Sequence, residues 1–401
     1  MAFSVKLRIW LIAATSLPTT WAANNSFNLA PFTIDLTSEI SRLNTLANTR
    51  LPATALYPGA GPDEGIELDF LTDLRNDWQG NFDWEMQQAE LNQLTQCTAV
   101  VEGQTVPSVH EKSKEADAIP VILLHGWPGS FHEFTPVIKP LTQSWTSSPG
   151  QKVSYNVVVP SLPGFIFSSV PPANWIVDDT ARIFNTLMTE VLGYPTYALD
   201  WGSSVGYSLY SSFNTTVRAG HFTFLPFLPP TTEEITAENI TISAVQTEAI
   251  GNAYLTEQST KPNDIGLALY DNPVGQLAWI GGKMKLWSGT PPSVLNNTAI
   301  LTSVSLYYVT DSFLSSVWIY AQNTAAFFTV YTKAATDAPM LFSQFEYNVA
   351  LYPQEYVAQV GYLVSYTGHF AGLDNPPALI EDLREIRPLF QGLSATSTNA
   401  H

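Results

Sequence analysis

The chain has 401 residues, 45% hydrophobic and only 13% charged, which excludes a small module or a disordered tail and calls for a large buried core. A formal net charge of −18 argues against nucleic acid and anionic membrane surfaces as partners. Cys97 is the only cysteine, so an intrachain disulfide and a cysteine-based metal cluster are both excluded, and a buried apolar thiol is expected.

Residues 1–23 read as a secretory leader. Lys6 and Arg8 form a basic flank, Ile9 to Leu17 is a short apolar run, and Thr20-Trp21-Ala22-Ala23 offers small residues for cleavage. The run is too short to span a bilayer, so the mature chain is expected to carry no membrane span. Sequons at Asn24, Asn214, Asn239 and Asn296 agree with a secreted, glycosylated protein.

Residues 24–115 are read as an extension. The stretch from Ser26 to Gly103 is helical and loop-like, with Trp78, Phe82 and Trp84 clustered beside Asp77 and Asp83, and is expected to wrap the core. Core pattern begins near Ala118. Ile119 to Leu124, Val153 to Val159 and Tyr197 to Leu199 are apolar runs suited to strands buried on both faces. Helical stretches at Phe131–Leu141 and Val177–Val191 alternate with them, which predicts a doubly wound, mostly parallel α/β sheet over 116–228. From 229 to 325 the sheet pattern gives way to helix, with Gln276 to Ile280 and Trp287 as an apolar face, and this insertion is expected to form a lid. Leu341–Phe345 and Tyr362–Tyr366 return to the core pattern within 326–401.

The chemistry gathers at strand ends. Ala198-Leu199-Asp200-Trp201-Gly202 fits the small-x-nucleophile-x-small turn of an α/β-hydrolase elbow, with a carboxylate as nucleophile. A carboxylate there points to attack on an alkyl carbon through a covalent ester. His125-Gly126-Trp127-Pro128-Gly129-Ser130 follows the first core strand, where this fold draws an oxyanion-hole N–H; Trp127 and Trp201 are the expected donors. His369, in Thr367-Gly368-His369-Phe370, stands late in the chain as the expected base, and His125 is expected to brace the loop.

Taken together, His125 to Ser130, Pro160-Ser-Leu-Pro-Gly164 with Phe165, Asp200 to Ser203, Ser305 to Tyr308 with Thr310, and Gly368 to Ala371 resemble the microsomal-type epoxide hydrolases, including the fungal and juvenile-hormone branches. The N-terminal segment with Asp83-Trp84 resembles that family's amino-terminal meander. The likeness implies an α/β-hydrolase sheet with an inserted helical lid. It also implies opening of a small apolar epoxide by Asp200, with Tyr254 and Tyr307 as lid acids. His369 would then activate water against the ester. No metal or organic cofactor is implied; the partners are epoxide and water, and a homo-oligomer stays open.

Three departures stand out. Asn348 takes the position where the family has an Asp or Glu behind its histidine, with Glu346 or Glu355 as neighbouring substitutes. The segments before Asp200 and His369 are short, and Ile166 replaces a frequent glycine. Two further readings therefore stand beside the enzyme: a degenerate member that binds a hydrophobic ligand without turnover, and a haloalkane-dehalogenase-like hydrolase.

Overall fold

A computed structural model describes residues 25–54, 57, 64–146, 150, 152–200, 203–227, 253–288, 295–327, 332–345, 350, 352–369, 375–386 and 390. Among them, nine strands form one sheet in the order β1-β2-β3-β7-β4-β8-β9-β10-β11. These are β1 (Ala30–Pro31), β2 (Gln96–Val101), β3 (Gln104–Glu111), β4 (Ile119–Leu123), β7 (Tyr155–Pro160), β8 (Tyr197–Asp200), β9 (Val217–Phe222), β10 (Pro339–Phe345) and β11 (Tyr362–His369). A separate two-stranded ribbon pairs β5 (Trp145–Thr146) with β6 (Lys152–Val153). From β7 to β11 every pairing is parallel, and β1, β2, β3 and β7 pair antiparallel.

The central strands are apolar because they are covered on both faces. Val121, Ile122, Leu123, Val157, Val158, Val159, Ala198 and Leu199 are all fully buried. The helix Val177–Thr186 packs against the helix Ser203–Ser212, and Thr135–Thr142 packs against Pro376–Arg384. The sheet starts earlier than the apolar runs suggest. β1, β2 and β3 fall inside the segment read as helical extension, because β2 and β3 mix polar residues among the apolar ones and lack the continuous apolar signature. Cys97 lies in β2, buried as expected.

The extension docks on the lid. Trp78 Nε1 donates to Ser305 Oγ at 3.1 Å, and Asn297 Nδ2 donates to Asp77 at 2.5 Å. Both lid residues belong to the helix Asn297–Val309, which Asn296 caps by accepting the Ala299 N–H. Ile300 to Val309 are buried on every side, as expected of a helix apolar all round. The described lid residues 253–288 and 295–327 are helical throughout most of their length.

Candidate active site

Asp200 is the last residue of β8, and the helix Ser203–Ser212 starts three positions later, so the strand-to-helix turn falls where the elbow pattern places it. In parallel register Asp200 faces Leu123 on β4 and His221 on β9. Its carboxylate is fully buried. Oδ1 lies 2.5 Å from His221 Nδ1, while His221 Nε2 lies 2.7 Å from Ser343 Oγ, which in turn meets Asp382 Oδ2 at 2.7 Å and Thr367 Oγ1 at 2.9 Å. Asp382 Oδ2 is also 3.9 Å from His221 Nε2. Burial opposes protonation of His221, but the Asp200 carboxylate and, more weakly, Asp382 raise its pKa above the ordinary imidazole value. The network is thus an imidazole held between two carboxyl groups beneath the elbow, with Asp200 favouring its charged form.

The loop after β4 is braced by His125. Its Nε2 accepts the Leu162 N–H at 3.0 Å while Nδ1 faces the Gly126 carbonyl at 3.2 Å, an arrangement that suits one neutral tautomer. Burial pushes this imidazole down to about 4, so it stays neutral. The Trp127-Pro128 peptide is cis. Ile166, which follows Phe165, adopts a φ of 46°, the left-handed region where a β-branched residue is strained. That is the position the resemblance marked as a frequent glycine.

Tyr254 stacks on Trp127, with centroids 5.3 Å apart and planes 19° from parallel, and meets Trp287 edge-on at 5.2 Å. The ring beside it is Tyr320, not Tyr307. Tyr254 and Tyr320 are 5.7 Å apart and nearly perpendicular, and Tyr320 also touches the edge of Trp127. Burial pushes Tyr254 up to about 12, the neighbouring Tyr320 opposing it, and holds Tyr320 well above the usual phenol value. Tyr307 is fully buried and donates its O–H to the Gly129 carbonyl at 2.6 Å, which ties the lid helix to the loop. The expectation of Tyr307 as Tyr254's partner is therefore corrected: its hydroxyl is engaged by backbone, and Tyr320, in the helix Ser312–Gln322, occupies that place.

Two ionisable groups that sequence reasoning passed over flank these rings. Glu133 tucks its carboxyl against the loop: a Cβ on Gly129 would fall 1.8 Å from Oε2. Lys283 places Nζ 3.5 Å from the Trp279 ring centroid and 5.8 Å from those of Trp127 and Tyr254, and donates to the Trp279 carbonyl at 3.0 Å. Burial lowers its ammonium to about 7.

Trp201, Asn348 and Glu346 lie outside the described residues. The backbone of His369 ends β11, paired with Phe345 on β10. Glu355 is exposed on the helix Gln354–Val360. His221, Glu133, Lys283 and Tyr320 carried faint signals. His221 lies in an apolar strand and Glu133 four residues beyond Gly129; Lys283 is in a lid of few charges, and Tyr320 lies on the helix after the one that carries Tyr307.

The comparisons agree with this architecture. Residues 29–134 match a family model described as "Epoxide hydrolase N terminus", and residues 119–240 match one for the alpha/beta hydrolase fold. A Dothistroma septosporum protein named "Putative epoxide hydrolase" is 30% identical over 92% of this chain and 91% of its own. The Aspergillus niger epoxide hydrolase structure is 32% identical, with a TM-score of 0.74 over 89% of this chain and 95% of that one. The juvenile hormone epoxide hydrolase of Bombyx mori shares the fold, with a TM-score of 0.77 over 92% of this chain and 96% of that one at 22% identity. By sequence identity and by extent of match, this chain belongs to the epoxide hydrolase family.

Proposed function

We propose that the protein hydrolyses a small apolar epoxide to a vicinal diol through an alkyl ester on Asp200. The observation that carries this is the meeting of the Tyr254–Tyr320 pair with Trp127 of the loop after β4 in a fold whose elbow residue is Asp200. The carboxylate attacks one epoxide carbon and the carbon–oxygen bond breaks. The emerging alkoxide takes a proton from a lid phenol, a donor acidic enough for so strong a base. Water activated by His369 then attacks the ester carbonyl, and the backbone N–H groups of Trp127 and Trp201 are the donors for the resulting oxyanion. The chain needs no metal for these steps. A secretory leader over 1–23 and glycans at Asn24, Asn214, Asn239 and Asn296 belong to the same proposal; Asn214 and Asn296 are exposed, which suits them for modification.

A second reading is favoured by one observation. Asp200 is fully buried and held by His221, so a family member whose nucleophile is locked in the sheet would bind an epoxide without opening it. Incubation with styrene oxide separates the two. Diol together with a mass adduct on the Asp200 peptide is the expected result. Adduct without diol would place the defect in ester hydrolysis, and absence of both across a range of epoxides would favour the locked form.

A further inference from the structure

We propose that Glu133 is the second carboxyl group of the site and shares one negative charge with Asp200: it keeps its proton while Asp200 is a carboxylate and gives it up when Asp200 becomes an ester. The second half of this statement rests on the alkyl-ester reading above; the first does not.

Three observations place Glu133 in that role. Its carboxyl is folded onto the backbone of the loop after β4, in the space that a Cβ on Gly129 would take. Its Oε1 is inaccessible to solvent and has no hydrogen-bond partner among the described residues. And no cation pairs with it there: the ion pairs of the described residues involve other carboxylates. Tyr307, from the helix Asn297–Val309, reaches the same Gly129 with its O–H, and the charge of Asp200 from β8 acts on Glu133 through the buried site. His132, its neighbour on the same turn, faces Ser303 at 3.0 Å and is driven neutral by burial, to about 4. A buried carboxyl without a counter-charge, beside a second carboxylate, holds its proton. Burial and then Asp200 both push Glu133 well above the usual carboxylate range. Asp200, in contrast, has His221 as its counter-ion, so the single charge settles on Asp200.

Esterification reverses the balance. Asp200 loses its charge, and the repulsion that kept Glu133 protonated goes with it. The proton that Glu133 releases is the one the epoxide oxygen must finally hold, restored to the lid phenol that supplied it. In the hydrolytic half Glu133 is a carboxylate beside the ester. His369 takes one proton of the attacking water as the water oxygen bonds to Asp200 Cγ, and that proton passes on to Glu133. The bond from Cγ to the alkyl oxygen then breaks, and the departing oxygen takes the second proton. Asp200 is again a carboxylate and Glu133 again an acid. Glu133 thus acts through Asp200 as a positioning residue for charge, and supplies a negative group that Asn348 does not.

The test uses infrared titration of the full chain in three forms: wild type, Glu133→Gln and Asp200→Asn. The amide of Asp200→Asn mimics the neutral ester. The expected result is a carbonyl band of a protonated carboxylic acid near neutral pH that Glu133→Gln lacks, and whose ionisation moves down by about one pH unit or more in Asp200→Asn. A band unchanged by Glu133→Gln, or a midpoint unchanged by Asp200→Asn, would overturn the shared charge. In a second arm with styrene oxide, Glu133→Gln should still form the Asp200 adduct and release diol about 10-fold more slowly or worse. Release at the wild-type rate overturns the hydrolytic role. If wild type forms no adduct while the titration behaves as expected, the shared charge stands and the alkyl-ester reading falls.

Discussion

Replacing Tyr320 and Tyr307 separately by Phe distinguishes a lid acid from a lid strut. The two phenols are both buried and both in the lid, but their hydroxyls do different work. Tyr320 packs edge-on against Tyr254 and Trp127, whereas Tyr307 donates at 2.6 Å to the Gly129 carbonyl. Tyr320→Phe removes a donor to charge that develops only as the epoxide opens. Loss of one such preorganised donor costs about 3–4 kcal/mol of transition-state stabilisation, so adduct formation on Asp200 should slow by about 10²- to 10³-fold. Little of this appears in stability, because the ring and its contacts with Trp127 and Tyr254 remain. Tyr307→Phe leaves a buried carbonyl without its donor, which costs about 1–3 kcal/mol of folding free energy. For a chain of this size that is a fall of a few degrees in Tm, at about 2–4 °C per kcal/mol or less. Its effect on adduct formation should stay within about one order of magnitude, the scale of a slightly displaced loop rather than a lost donor. The assays are single-turnover mass spectrometry of the Asp200 peptide with styrene oxide and a thermal melt of each variant. A large rate loss in Tyr307→Phe at unchanged Tm, with Tyr320→Phe near the wild-type rate, would refute the reasoning and restore Tyr307 as Tyr254's partner.

Four other perturbations test the charges. His221→Ala leaves Asp200 buried without its cation and should cost about 3–5 kcal/mol, read by denaturant unfolding; a loss below 1 kcal/mol would show that the pair contributes little. The pH dependence has a definite sign. The folded pKa of His221 is raised, so its contribution to stability is complete below the unfolded value, about 6.5, and fades as pH rises through the folded value. Wild type should lose that component of Tm on the alkaline side and Asp200→Asn should not; parallel profiles would count against the ion pair. Lys283 behaves in the opposite way. Its ammonium is lowered to about 7, so folding is penalised while it is charged, and the penalty shrinks as pH climbs from that value towards the ordinary lysine range. Lys283→Met should therefore melt above wild type in mildly acidic solution, with the gap closing in alkali; a gap that is constant with pH would mean the gain is packing alone. Asn348→Asp should speed diol release by at least about 10-fold without changing adduct formation, given that the reverse change in a serine triad costs about 10⁴. An unchanged release rate would move the defect to the short segments before Asp200 and His369.

The legible parts of the sequence were those governed by local rules. Ile119–Leu123 and Tyr155–Pro160 announced themselves as apolar runs because a parallel strand covered on both faces has no polar side to show. β2 and β3 did not, because their pairing is antiparallel and their alternation is interrupted, as Pro107 and His110 illustrate. Asp200 was legible because the elbow imposes small neighbours on one short stretch. Tyr320 was not, because its partnership with Tyr254 joins residues 66 positions apart, and a sequence of 17 tyrosines offers no local reason to prefer one. Glu133 and His221 escaped for a related reason. Their meaning comes from what burial removes, and burial is a property of the assembled sheet.

That last point bears on why the site is built as it is. β8 has only four residues, and its register sets Asp200 opposite His221 inside the sheet. A carboxylate so deep is costly unless paired, and its partner must be a cation that is itself compensated, which Asp382 and Ser343 supply from the other side. The pairing fixes the charge on Asp200 and drives Glu133 to the neutral form. It also opposes alkylation, since esterifying Asp200 strands His221 with Asp382 alone. A chain with so short a strand before its elbow therefore couples nucleophile, imidazole and second carboxyl tightly. Relaxing one, by His221→Gln for instance, should release Asp200 for faster adduct formation at the expense of stability. Slower adduct formation in that variant would mean that the imidazolium holds the carboxylate in its reactive form rather than restraining it.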